Sequence, residues 1–180
     1  AKQWATDLKQ HGHDVKIVTS QEEICEGDIL FILSYWEIIR PEFLTKNTHN
    51  IVVHESDLPQ GKGWSPMTWQ VIEGKNKIPI TLFEAVDQVD AGDIYLSSEI
   101  QLDGNELVEE LRDKQAHATF DLCQNFIENY PEIISQKHPQ TGQGSCYSRR
   151  GPEDSELDPE KSIAMQFDLL RTVDNDSYPA

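Results

Sequence analysis

Residues 28–33, DILFIL, are apolar at five of six positions. A run so short and so apolar has no polar face to turn to water, so it reads as a strand covered on both sides, as in the parallel sheets of α/β proteins. Its place is the sheet centre. NIVVH at 50–54 repeats the signature, and 36–44 between them predicts a helix. Trp4, Ala5 and Leu8 at helical spacing predict a helix over 2–11, stopped by Gly12 before a short strand at 15–18. Such a domain usually begins with a strand, so a first strand is expected to be missing from this chain.

Downstream, a loop rich in glycine and proline (HESDLPQGKGWSP) leads to Ser65 and Pro66, an N-cap and first helical position for a helix over 66–74. Residues 78–86 and 94–102 read as β segments joined across DQVDAGD, an antiparallel pair at the sheet edge. The longest helical pattern, 104–130, carries Leu107, Leu111, Ala118 and Leu122 on one stripe until Pro131 interrupts it. Composition then shifts to Gln, Ser, Gly, Pro and charge, with a last helix over 159–173. The expected organisation is a mostly parallel α/β sheet flanked by helices in a core of residues 1–130, followed by an extension over 131–180.

Charge narrows the function. Fifteen Lys plus Arg stand against 32 Asp plus Glu, a formal charge of −17, and phosphate backbones repel such a chain. No nucleic-acid partner is expected. No stretch approaches the ~18 apolar residues of a membrane span, and the first ten residues lack the regions of a secretory leader. Cys25, Cys123 and Cys146 form no CxxC pair, which suits a reducing compartment. A cytoplasmic protein without membrane association is expected. The pair His11 and His13 has no third ligand nearby and is read as a surface helix end, so no metal is expected.

His54 closes the second apolar strand, and in open α/β sheets ligands sit beyond the carboxyl ends of strands. It reads either as a functional group or as a capping histidine satisfied by loop carbonyls. Asp90, in the turn VDAGDI, is placed to accept the Nδ1 hydrogen of a histidine, or to serve only an Asp-Gly turn.

These pieces occur in a telling order. Within residues 54–95 stand His54, Ser56, Leu58, Pro59, Gly63, Pro66, Trp69, Gly74 and Asp90-Ala91-Gly92, and in order and spacing they resemble the folate-dependent formyltransferase family. A second block, Arg149-Arg150-Gly-Pro-Glu-Asp-Ser, resembles the RRTPEDS segment of members acting on nucleotide-linked amino sugars, with Gly151 where Thr is usual.

The resemblance implies a Rossmann-like formyltransferase fold and N10-formyltetrahydrofolate as formyl donor. It also implies an amine acceptor on a dTDP-, UDP- or GDP-linked amino-deoxysugar, as in surface-polysaccharide and O-antigen synthesis. His54 would be base or proton shuttle, with Asp90 orienting or charge-stabilising it. Backbone groups of Val86, Gln88 and Val89 would read the pterin edge, with Trp64, Tyr35 and Trp36 as further folate contacts. Lys62, Arg149 and Arg150 would pair with a diphosphate, and the extension would complete the acceptor side or a homodimer interface. Methionyl-tRNA or glycinamide ribonucleotide as acceptor, and a catalytically weak folate-fold binding protein, are the alternatives.

One position departs from the family pattern. Where an Asn usually stands two residues before the histidine, this chain has Val52, which donates nothing to an oxyanion. Asn50 shares the strand face but lies four residues, about 13 Å, from His54.

Overall fold

The computed structural model describes residues 1–174. In chain order its strands are β1 (Gly27–Ile32), β2 (Asn47–His54), β3 (Lys62–Gly63), β4 (Lys77–Glu84), β5 (Ile94–Gln101) and β6 (Cys146–Tyr147). The helices are α1 (Lys2–Gln10), α2 (Pro41–Leu44), α3 (Pro66–Ile72), α4 (Val108–Glu128) and α5 (Phe167–Leu170). Residues 175–180, the end of the expected extension, lie outside the described residues.

The architecture is α/β, with a central sheet in the order β1-β2-β4-β5. Only β1 and β2 run parallel, with Ile32 beside Val52; β2–β4 and β4–β5 are antiparallel. The expectation of a mostly parallel sheet is therefore corrected for the described strands. The chain leaves β2 at His54 and enters β4 from the same end, pairing His54 with Thr81.

The run expected at the sheet centre, β1, lies at the edge of the described sheet, and its residues are exposed or half-buried. Residues 15–18 are not a strand, so no described strand flanks β1 on its outer side. Cover comes instead from α1, whose Trp4 ring sits edge-on to Phe31 at 5.4 Å and donates from Nε1 to Gln124 of α4 at 3.0 Å. The end of α1 follows its sequence signal closely. Gly12, at φ +92°, donates to the Lys9 carbonyl while His13 donates to that of Leu8, the paired bonds of a glycine-terminated helix.

The expected helix over 36–44 shrinks to α2, because Pro41 holds Arg40 in an extended conformation (ψ 144°) and the helix can begin only at the proline. Pro66 opens α3 as expected. Leu107 flanks α4 rather than lying within it and is largely exposed, while Glu110 accepts its backbone N–H at 2.9 Å and so closes the helix start. At the far end the expected helix over 159–173 is broken into short turns and α5.

Alternation along the strands divides the interior in two. Ile51, Val53, Ile80 and Leu82 face α4 and pack with Leu111, Leu122 and Phe126 in the main core. Phe126 is fully buried against Tyr95, ring centres 5.2 Å apart, and such a side chain contributes about 2–3 kcal/mol of transfer free energy. On the opposite face Val52 joins a small cluster of Leu58, Phe83 and Ile94. That second face carries His54.

The residues after 131 are woven into this frame. Parallel β3 and β6 pair Gly63 with Tyr147, and Ile94 bridges His138 through two backbone bonds of 2.8 and 3.0 Å. Tyr147 stacks on Trp69 of α3, and the Trp69 indole donates to the Ser148 carbonyl at 2.9 Å. The last turns are pinned by Arg171, fully buried and donating to Asp168, Glu106 and Asn76.

Burial alone would raise the carboxyl of Glu106, but Lys114 and the backbone N–H groups of Asp103 and Gly104 outweigh it and bring the group down to about 2. A depressed carboxylate contributes stability that is complete above its unfolded value near 4.5 and is lost as pH falls toward the folded one. Acid unfolding followed by circular dichroism should therefore steepen between pH 4.5 and 2, and Glu106→Gln should flatten that limb while lowering stability at pH 7.

Candidate active site

His54 ends β2, and Asp90 sits in the loop that joins β4 to β5 and folds back over the Val52 face. Thirty-six residues apart in sequence, the two meet, with His54 Nε2 3.8 Å from Asp90 Oδ2. Their side chains are 10% and 12% exposed, so the pair is largely enclosed yet still open to solvent. Asp90 adopts φ +50°, a left-handed conformation that Asp tolerates better than most residues. Gly92 is required nearby, because a Cβ there would overlap the Glu84 carbonyl oxygen.

The contact differs in detail from the expected one. Asp90 faces Nε2 rather than Nδ1, and at 3.8 Å it is a charge neighbour, beyond hydrogen-bond range. Nε2 instead lies 2.9 Å from the Gly61 carbonyl, which fixes the hydrogen on Nε2 and leaves the lone pair on Nδ1. A loop carbonyl thus satisfies the ring, as the capping reading expects, and a carboxylate stands beside it as a charge neighbour. Asp90 is in turn held by the Gly63 N–H, which donates to its Oδ2 at 2.9 Å.

Val52 lies on the face of His54 and presents only methyl groups. Asn50 is engaged elsewhere, its amide donating to the Leu44 carbonyl at 2.9 Å. Backbone donors of the adjoining loop are engaged too: the N–H groups of Ser56, Gln60, Lys62 and Trp64 each reach a backbone carbonyl, and that of Gly61 reaches Ser145 Oγ. Among these groups none is left to meet a developing oxyanion.

The other expected residues fall into two sets. Val86, Gln88 and Val89 lie exposed in the loop leading to Asp90, Trp64 is exposed immediately after Gly63, and Trp36 is 70% exposed beyond the end of β1. Tyr35 lies beside Trp36, ring centres 5.7 Å apart, and its hydroxyl donates to Glu37 at 2.8 Å. Large apolar side chains are thus left uncovered on three segments, those after β1, after β3 and between β4 and β5. In the second set, Lys62 is half-buried in β3 and Arg149 is exposed, whereas Arg150 is buried. Its guanidinium donates inward to Ser155 Oγ at 2.9 Å and to the Asp154 carbonyl at 3.3 Å, shaping the Pro152–Ser155 turn.

Sequence reasoning passed over three groups. Glu55, next to His54, points the other way into the protein, where burial pushes its carboxyl up and Gln115 of α4 donates to it at 2.8 Å. The Gly61 carbonyl and the side chain of Gln140, which donates to the Asp90 and Gly92 carbonyls, were also missed. Period-two alternation gives the signal for Glu55, because a residue after an inward His54 must face α4. Nothing local marks the other two. Among the described residues no cluster of three metal-ligating side chains occurs, and no helix is long and apolar enough to cross a membrane.

Residues 4–125 match the family model described as formyl transferase. The chain is 24% identical over 148 residues to the methionyl-tRNA formyltransferase of Sulfurihydrogenibium sp. (strain YO3AOP1), covering 81% of this chain and 48% of the relative. It thus spans about half the length of that curated protein. Methionyl-tRNA formyltransferase from Clostridium thermocellum superposes with a TM-score of 0.72 at 24% identity, covering 99% of this chain and 80% of that one. WlaRD, a sugar 3N-formyl transferase solved in the presence of dTDP and 5-N-formyl-THF, gives 0.70 at 22% identity, covering 92% and 62%. At these identities the solved structures speak for the fold alone. The family model spans about two-thirds of the sequence, and on that match the chain belongs to the formyl transferase family.

Proposed function

We propose that this chain transfers a formyl group from N10-formyltetrahydrofolate to the amine of a nucleotide-linked amino-deoxysugar. The observation that carries the reading is the 3.8 Å approach of His54 and Asp90 at the end of β2. In this reading exposed Trp36, Trp64, Val86 and Val89 offer the folate apolar surface. An ammonium is not a nucleophile, so a base must take a proton as the amine nitrogen bonds to the formyl carbon. His54 Nδ1 has the free lone pair for it. The imidazolium so formed faces Asp90, and a charge pair at this separation is worth on the order of ~4 kcal/mol at an effective dielectric of about 20. The same Nδ1–H can then donate to the oxyanion and return its proton to the departing folate nitrogen as the old carbon–nitrogen bond breaks. This gives one imidazole the donor duty that Val52 does not share.

The acceptor is read from charge and from the second block. Over 180 residues the charge of −17 opposes an RNA partner, while Lys62 and Arg149 remain accessible for a diphosphate. In this proposal Arg150 holds the loop that presents Arg149. A second reading, methionyl-tRNA as acceptor, is favoured by the relative from Sulfurihydrogenibium.

Incubation with N10-formyltetrahydrofolate and a panel of dTDP-, UDP- and GDP-linked amino sugars, with methionyl-tRNA in parallel, separates the readings. One sugar nucleotide should be formylated, and His54→Ala should lower its turnover ~10²- to 10⁴-fold with folate affinity nearly unchanged. Formylation of the tRNA alone would replace the sugar reading by the second. Folate binding without turnover on any acceptor would favour a catalytically weak binding protein.

Val52→Asn tests the oxyanion account. The amide would stand beside His54 but also amid Leu58, Phe83 and Ile94, so turnover should rise while stability falls by ~1–3 kcal/mol. A variant that folds with unchanged turnover would argue against a missing donor at this position.

A further inference from the structure

The turn carrying Asp90 is held by a side chain fifty residues away. Gln140 Nε2 lies 3.0 Å from the Asp90 carbonyl and 3.0 Å from the Gly92 carbonyl, so its two amide hydrogens serve two carbonyls of one turn. The opposite amide orientation would set an oxygen against two oxygens, so the donor arrangement is the one the site permits. Gln140 lies two residues after His138, whose backbone is bridged to Ile94, the first residue of β5. Six residues on, β6 pairs with β3 next to Gly61 and Gly63, the residues that hold His54 and Asp90. Both halves of the candidate site are therefore braced by one stretch of chain, 138–147.

We propose that Gln140 is a positioning residue, one that fixes the left-handed turn at Asp90 so that its carboxylate stays on the Gly63 amide and beside the His54 ring. Without the amide, the Asp90 and Gly92 carbonyls lose a shared donor, and Asp90 at φ +50° is free to relax toward commoner backbone conformations. Its carboxylate would then swing off the Gly63 N–H. A displacement near 1 Å at such a group costs about 10²-fold in rate.

This inference rests on the formyl-transfer reading, and its test keeps the two apart. Gln140→Ala, Gln140→Glu and the control Gln136→Ala, at an exposed position, would be compared in thermal stability, in steady-state transfer to the sugar nucleotide used by the unaltered chain, and in amide hydrogen exchange by NMR. Gln140→Ala should lower kcat about 10²-fold with a much smaller change in the KM for folate. The amide of Gly63 should exchange at least roughly tenfold faster, while the amides of β2 exchange as before. For Gln140→Glu, a carboxylate offers the two carbonyls no hydrogen and repels them, whereas its protonated form can donate one. Its kcat relative to the unaltered chain should therefore climb as pH falls from 8 toward 5, a trend a merely structural role would not produce. A Gln140→Ala protein that folds with unchanged kcat, or with an unaltered Gly63 amide, overturns the proposal. Should the unaltered chain transfer formyl to no acceptor, the formyl-transfer reading fails and the Gly63 exchange rate alone decides the role of Gln140.

Discussion

One hydrogen bond, from the Gly63 amide to the Asp90 carboxylate at 2.9 Å, joins the two loops on which the candidate site depends. The stretch 138–147 braces the same two loops from outside, through Gln140 on one and β6 on the other. Gly63 occupies φ +96° with the Tyr147 carbonyl so close that no Cβ fits, which is why this corner demands glycine. The same residue is paired with β6, so a short stretch of late sequence determines where an early loop places its donor.

This arrangement explains how a sheet with a single described parallel pair brings the two halves of the candidate site together. The antiparallel return of β4 brings the β4–β5 loop over the sheet face that carries Val52 and His54, and a charged group on that loop reaches the end of β2. The face toward α4 takes up the apolar packing, and the face toward the loops carries the polar pair. Glu55 marks the boundary between the two: it follows His54 directly, yet its carboxyl belongs to the α4 side.

Much of this was legible in the sequence because it depends on local periodicity and on turn chemistry. NIVVH, the Ser65-Pro66 helix start, the paired β segments and the long helix ending before Pro131 all declare themselves within windows of ten to twenty residues. The pairing of His54 with Asp90 came from the order of motifs, and strand register carried it into space. What escaped is non-local. DILFIL has the composition of a central strand but no described neighbour on its outer side, and covering by Trp4 was not visible from the run itself. Arg150 looks from sequence like its neighbour Arg149, and only the fold of the Pro152–Ser155 turn separates a buried guanidinium from an exposed one. Backbone carbonyl acceptors such as that of Gly61 have no residue signature at all, so the tautomer of His54 could not be read in advance.

The central proposal is that His54 acts as a base, its Nε2 hydrogen held by Gly61 and its Nδ1 lone pair left to take the amine proton beside the bound folate. Long-range proton–nitrogen NMR of the histidine rings, with His54 assigned by substitution and recorded with and without 5-formyltetrahydrofolate, tests it most directly. The account predicts a neutral ring protonated at Nε2 in the free protein, and a Nδ1 signal that moves when the folate binds. A ring protonated at Nδ1, or a Nδ1 signal indifferent to saturating folate, would contradict it.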